Sequence, residues 1–255
     1  MSFRQLLDRR HTRIWLLVSF MMCTSSSLAD VYELRIYTAR ESKLEALNAR
    51  FRDHTIRLFK KHGIESLGYW VPTDAEKGKN TLIYVIKHRS RDAAKASWKS
   101  FLADPQWKKA ARESGVGSLA TRPESVYMEA TDYSPKFVSD KKSEQAVYEL
   151  RIYRCNEGKL KNLDARFREH TIRIFNRFGI RSVAYWHPTD APDSDDTLIY
   201  ILRHDSPEAA KKAWDGFRND AEWKKVARES QRDGSFLRER PESIYMKATD
   251  YSAIH

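Results

Sequence analysis

The chain is short of the usual covalent staples. It holds two cysteines, Cys23 and Cys155. Cys23 lies in an opening segment that is not expected to belong to the fold, so no disulfide closes within the folded part and cohesion must come from apolar cores. A lone cysteine with scattered histidines has no metal-ligand spacing, and no metal site is predicted. Nine glycines and eight prolines in 255 residues exclude a loop-dominated chain. No apolar run reaches the ~20 residues of a membrane-spanning helix. There is no glycine-rich phosphate loop, nucleophile elbow or Cys/His pairing, so the common nucleotide-dependent and nucleophilic chemistries find no signature. Against these absences stand 41% hydrophobic and 12% aromatic residues, which suit packed domains.

The opening segment reads as an address. Arg4, Arg9, Arg10 and Arg13 precede an apolar run from Ile14 to Cys23, and Ser27-Leu28-Ala29 supplies small residues for cleavage. A Sec-type signal peptide over 1–29 is expected, giving a secreted or periplasmic protein with no stable membrane anchor after cleavage. A mitochondrial presequence is the alternative, disfavoured by Asp8 and by the compactness of the apolar run. Met22 before Cys23 argues against a lipoprotein anchor. The formal charge of +11 falls to +8 once the four arginines and Asp8 are removed. Such a charge steers acidic ligands, although its spread over helix faces is first of all a solubility device.

Val31-Tyr32-Glu33-Leu34-Arg35-Ile36-Tyr37 returns as Val147-Tyr148-Glu149-Leu150-Arg151-Ile152-Tyr153, at an offset of 116 residues that holds to Ser114 and then rises to 118. The chain is two copies of one unit, 31–133 and 147–251, joined by a polar stretch over 134–146. Each copy reads in the same order. An alternating strand comes first. A helix follows over Lys43–His62 with the stripe Leu44, Leu47, Phe51, Thr55, Leu58 and Phe59, stopped by Gly63. Two strands run over Glu65–Val71 and Thr81–His88. A helical stretch over Arg91–Ser114 restarts at Asp104-Pro105, with Asp104 as N-cap. The last strand covers Pro123–Ala130. The order βαββαβ is that of a ferredoxin-like unit, an α+β fold with both helices on one sheet face. Two open faces on one chain are expected to pack on each other as a pseudo-dimeric barrel, so the chain need not dimerise.

Tyr32 to Tyr37, Gly68-Tyr69-Trp70 and Asp104-Pro105-x-Trp107 resemble the NIPSNAP family. The second unit matches through Tyr148–Tyr153 and Tyr185-Trp186, and departs at Ala184 and at Asp220-Ala221-x-Trp223. The resemblance implies a dimeric α/β barrel and little chemistry, since the family has no established common activity. The mitochondrial setting of its eukaryotic members does not fit a secretory signal.

Ile83 and Val85, with Ile199 and Ile201, form the cleanest apolar parity of the third strands and are assigned to the helix side. Strand alternation then sends Glu33, Arg35, Trp70, Tyr84, His88 and Tyr127 into the barrel, with Glu149, Arg151, Trp186, Tyr200, His204 and Tyr245 opposite. A carboxylate, a guanidinium, an imidazole and phenols in an aromatic-walled site suit binding of a small anionic or aromatic ligand, or acid/base work. Cross-strand ion pairing is the structural alternative. His54 and His170 border the helix stripe and read as satisfied histidines rather than ligands. No cofactor is implied; haem enters only by analogy with related barrels. Trp98, Phe101 and Trp107 read as helix-to-sheet core. The expected function is a small-ligand- or protein-binding module, the alternative a small-molecule oxidoreductase, monooxygenase-like protein or isomerase. RNA binding is discarded, because Thr81–His88 lacks the glycine and paired aromatics of that module.

Overall fold

Residues 30–137 and 145–254 are described by the structure, a computed structural model. The expected signal peptide and the middle of the expected linker lie outside the described residues. Each unit has the anticipated order. In the first, β1 (Val31–Thr38) leads to α1 (Leu44–Arg50), a π-helical turn over Phe51–Thr55 and α2 (Ile56–Lys61). Then come β2 (Glu65–Pro72), β3 (Thr81–His88), α3 (Arg91–Ala103), α4 (Pro105–Glu113) and β4 (Glu124–Ala130). The second repeats it as β5 (Val147–Arg154), α5 (Leu160–Arg166), a π turn over Phe167–Thr171, α6 (Ile172–Arg177), β6 (Arg181–Pro188), β7 (Thr197–His204), α7 (Pro207–Asn219), α8 (Ala221–Ser230) and β8 (Glu242–Ala248). Among the described residues no helix is long and apolar enough to cross a membrane.

The first helix of each unit is not one α-helix. At its middle the Thr55 hydroxyl donates to the Arg50 carbonyl at 3.1 Å, five residues back, and Thr171 does the same to Arg166. That bond holds the wider turn and explains the four-residue steps Leu47, Phe51, Thr55 in the apolar stripe. The second helix breaks where expected. The Asp104 side chain accepts from the Gln106 amide, with Pro105 at N1. Asp220 breaks the second copy equally well before Ala221, accepting from the Trp223 amide, so the cap rather than the proline sets the break.

All eight strands form one closed barrel in the order β1-β3-β2-β8-β5-β7-β6-β4. The units join edge to edge, Trp70 opposite Ala248 and Ala130 opposite Trp186. Closure removes every exposed sheet edge. The tails then cross over. The Tyr69 amide donates to Ser252 at 3.0 Å and the Tyr185 amide to Ser134 at 2.9 Å, while Arg52 pairs with Asp250 and Arg168 with Asp132, both at 2.7 Å. Ser134, expected in the linker, is thus part of the second unit's packing.

Three cores result. One fills the barrel with Leu34, Trp70, Ile83, Val85 and Met128 from the first unit and Tyr148, Leu150, Trp186, Ile199, Ile201 and Met246 from the second. The other two lie between each half-sheet and its helices, around Phe51, Phe59, Tyr69, Tyr84 and Phe101, and around Phe167, Phe175, Tyr185, Tyr200 and Phe217.

This arrangement corrects the expected facing of the strands. Arg35 lies opposite Tyr84, Glu33 opposite Tyr127 and Val31 opposite His88, and Tyr84 packs with the helix residues. Glu33, Arg35, Tyr84, His88 and Tyr127 therefore face the helices, as do Glu149, Arg151, Tyr200, His204 and Tyr245. Of the twelve candidates only Trp70 and Trp186 point into the barrel. The physical reason is water and donors. A barrel closed by a second sheet offers neither, so it takes the uncharged parity. A sheet-to-helix face admits charge because helix side chains bring hydrogen bonds.

Candidate functional site

The helix-side network is built around one carboxylate per unit. Glu33, fully buried, accepts from Arg35 Nη1 at 2.5 Å, Ser125 Oγ at 2.6 Å, the Trp98 indole at 2.8 Å and His88 Nε2 at 3.1 Å. Glu149 repeats this with Arg151 at 2.5 Å, Ser243 at 2.6 Å, Trp214 at 2.8 Å and His204 at 3.2 Å. Burial alone would raise these acids, but the His88 bond, the Arg35 charge and the Ser125 and Trp98 donors outweigh it and bring Glu33 down to about 2, with Glu149 alike. Such a carboxylate is ionised at neutral pH and has no capacity left as a base. Its work is to hold its neighbours.

Arg35 is stacked 4.5 Å from the Trp98 ring and reaches Tyr37 at 3.3 Å. Tyr84 is buried beneath Tyr37, ring to ring at 5.2 Å, and burial, followed by Tyr37, pushes its phenol well above the usual range. Tyr127, half-buried, lies 6.4 Å from His88 and under the Arg91 guanidinium at 3.4 Å. Tyr245 lacks that cap, since Pro207 stands where Arg91 does, and burial with the nearby Glu149 pushes it up to about 12.

His88 is the member of this set with chemistry to spare. Its Nε2 faces an ionised carboxylate and so carries a hydrogen, which in the neutral tautomer leaves the lone pair on Nδ1. That nitrogen is buried with no hydrogen-bond partner, and so is Nδ1 of His204. His88, its side chain without exposed surface, adjoins a cleft of about 800 Å³ between β2, β3, α2 and α3, which is lined also by Lys60, Tyr69, Lys87, Arg89 and Tyr251.

Other predicted residues fall elsewhere. Trp70 and Trp186 pack 5.7 Å from Tyr148 and 5.8 Å from Tyr32 inside the barrel, separated from Glu33 and Glu149 by the sheet. His54 is exposed, and His170, half-buried as the stripe border implies, lies 3.8 Å from Glu169. The space between sheet and helices is filled by aromatic rings and Nε2 of both buried histidines is committed to glutamate, so the residues present do not fit a haem. Among the described residues no cluster suits a metal ion.

Some members of the site went unread in the sequence. Trp98 reads from the sequence as core alone, and Trp214, Ser125 and Ser243 carry no site reading there; both pairs are polar-capable residues retained in each copy, which is the signal that marks them. Arg50 and Arg166 are buried guanidiniums stacked on Trp107 at 5.0 Å and Trp223 at 5.2 Å. The second unit alone has Asp164, accepting from Tyr133 at 2.6 Å and His187 at 3.0 Å. The first has Asn48, holding Tyr251 at 2.7 Å, and Val71.

The NIPSNAP family model matches residues 32–135 and again 148–253. A monooxygenase-like protein of Lactobacillus acidophilus NCFM superposes with a TM-score of 0.55 at 13% identity, over 86% of this chain and 94% of its own. An anthrone oxidase-like protein does so with a TM-score of 0.50 at 13% identity, over 88% and 93%. A NIPSNAP family protein of Agrobacterium tumefaciens strain C58 aligns at 21% identity and a TM-score of 0.37, over 42% of this chain and 94% of its own. No curated protein matches the chain. At these identities the first two likenesses establish the barrel fold alone.

Proposed function

Because the chain belongs to the NIPSNAP family and repeats one polar network in both units, we propose that it is a small-ligand-binding protein whose ligand is held on the helix side of the sheet. The observation that carries this reading is the Nδ1 atom of His88, and of His204, buried without a partner while Glu33 or Glu149 fixes the far side of the ring. Buried polar atoms are normally satisfied by protein, water or ligand. A rigidly held acceptor beside a cleft is what recognition of a donor-bearing small molecule requires. The test is mass spectrometry of small molecules released from the purified protein, with His88→Gln/His204→Gln as comparison. Gln keeps a donor to the glutamate and removes the Nδ1 acceptor. A compound retained by the native protein and lost from the double variant supports the reading; retention by both refutes it.

A second reading is favoured by the same imidazole. A ring polarised by a carboxylate is the arrangement of a general base, and the proteins that share the fold include a monooxygenase-like and an anthrone oxidase-like one. Oxygen uptake with anthrone, abolished by the same double variant, would support it. We place the protein in the periplasm or outside the cell, on the strength of its basic and apolar opening segment; an intact mass starting at Asp30 is the expected outcome there.

A further inference from the structure

Three arginines of the second unit are largely withdrawn from solvent, and two of them have a carboxylate. Glu149 neutralises Arg151 at 2.5 Å, and Asp205 pairs with Arg203 at 3.0 Å. Arg166, 7% exposed, has no ion-pair partner among the described residues, and its Nε is sealed from solvent without a hydrogen bond. The rings of Trp223 at 5.2 Å and Phe236 at 4.7 Å hold the guanidinium plane. They attract the charge but offer its N–H groups no lone pair. Burial holds this guanidinium below the usual arginine range, and only phenols and a thiol, those of Tyr153, Tyr200 and Cys155, act the other way. A buried cation without an anion is costly.

Arg166 is not shut in. It lines a cleft of about 530 Å³ between α5, the π turn that follows it and α8, together with Glu169, His170, Glu222, Lys225 and Glu229. The three acids already have cationic neighbours. Glu222 binds Arg173, and Arg177 at 2.7 Å; Glu229 lies 3.9 Å from Arg232 and Glu169 3.8 Å from His170. Lys225 is exposed and, like Arg166, has no carboxylate partner among the described residues. A guanidinium at depth and an ammonium at the surface therefore stand unneutralised in one cleft. The first unit holds the equally buried Arg50, but the corresponding cleft, about 280 Å³ beside His54 and Lys109, is not lined by it.

We infer that the cleft between α5 and α8 is an anion site, in which Arg166 and Lys225 together hold the oxygens of a small carboxylate or phosphate. A planar fork fixed between two rings matches the paired oxygens of either group. Lys225 adds a point charge on a flexible stem from the open side. The anion supplies the acceptors that the protein withholds from Arg166 and neutralises the buried charge. This inference goes beyond the histidine-centred reading above and stands even where His88 and His204 hold nothing.

The test is the melting temperature of the full chain at pH 7 as inorganic phosphate or acetate is raised at constant ionic strength, with chloride making up the balance. A saturable rise with at least one of the two anions is expected, since binding to the folded form alone stabilises it. Arg166→Met should lose that rise or need about tenfold more anion, and Lys225→Met about fivefold more. Lys224→Met removes the same charge from an exposed residue outside the cleft and should stay within about twofold of native. Arg166→Lys keeps the charge and loses the fork, so it must show the weaker response even where Arg166→Met folds poorly. A rise with phosphate alone assigns the site to phosphates, a rise with acetate alone to carboxylates, and a rise with both to any small oxyanion. No saturable rise with either anion up to about 50 mM, an undiminished rise in Arg166→Lys, or equal losses in Lys224→Met and Lys225→Met would overturn the inference.

Discussion

Replacing Glu33 with Gln removes one negative charge from the most densely bonded point of the first unit and changes little else in shape. The carboxylate takes four donors and has no exposed surface. Gln turns one oxygen into a donor, so part of that set faces donor to donor, and the Arg35 guanidinium loses its counterion in a site where its side chain is 15% exposed. Removing one partner of a buried pair costs ~3–5 kcal/mol, a large fraction of the ~5–15 kcal/mol that holds a domain folded. The pH dependence gives a sharper check. Glu33 is held at about 2 instead of 4.5. A depressed carboxylate contributes stability that is fully present above its unfolded value and is lost as pH falls through the folded one. Converted by linkage, that is ~3 kcal/mol, lost between about pH 4.5 and 2. Glu149 contributes the same, and the variant retains only that half. Urea unfolding of native protein and Glu33→Gln at pH 7, 4 and 2.5 measures the difference directly. The gap should be widest at pH 7 and narrow by about half or more toward pH 2.5. A gap under ~1 kcal/mol at pH 7, or one that does not change with pH, would refute the picture of a buried, ionised hub.

Two further outcomes follow from differences between the copies. Gly68 lies against the indole it shares the barrel with; a Cβ there would meet Trp70 Cη2 at 2.3 Å. Gly68→Ala should cost ~1–3 kcal/mol by overpacking, read as a lowered melting temperature, whereas Ala184→Gly at the matching site should cost ~1 kcal/mol or less. Asp164→Asn should leave stability within ~1 kcal/mol at neutral pH, because the first unit holds Tyr251 with Asn48 in the same place. A loss above ~2 kcal/mol in urea unfolding would mean the charge itself supports the fold.

Much of the molecule was legible in the residues. The repeat, the βαββαβ order, the Asp104 cap and the closure of both sheets into one barrel all followed from periodicity, turn chemistry and the presence of two open sheet faces on one chain. So did the grouping of Glu33, Arg35, Tyr84, His88 and Tyr127, because strand parity and cross-strand register bring them together whichever way the sheet faces. Parity does not say which face is inside. Both faces of these strands are rich in apolar residues, and the sign depends on which covering can supply donors to a buried carboxylate. Trp98, sixty-five residues along the chain, and Ser125, on the strand beyond, supply them from the helix side. Local sequence determined the elements and the company each side chain keeps along its strand. Only the tertiary structure decided that the charged face meets helices and the aliphatic face meets the other sheet, because the cost of burying a charge is set by partners distant in sequence.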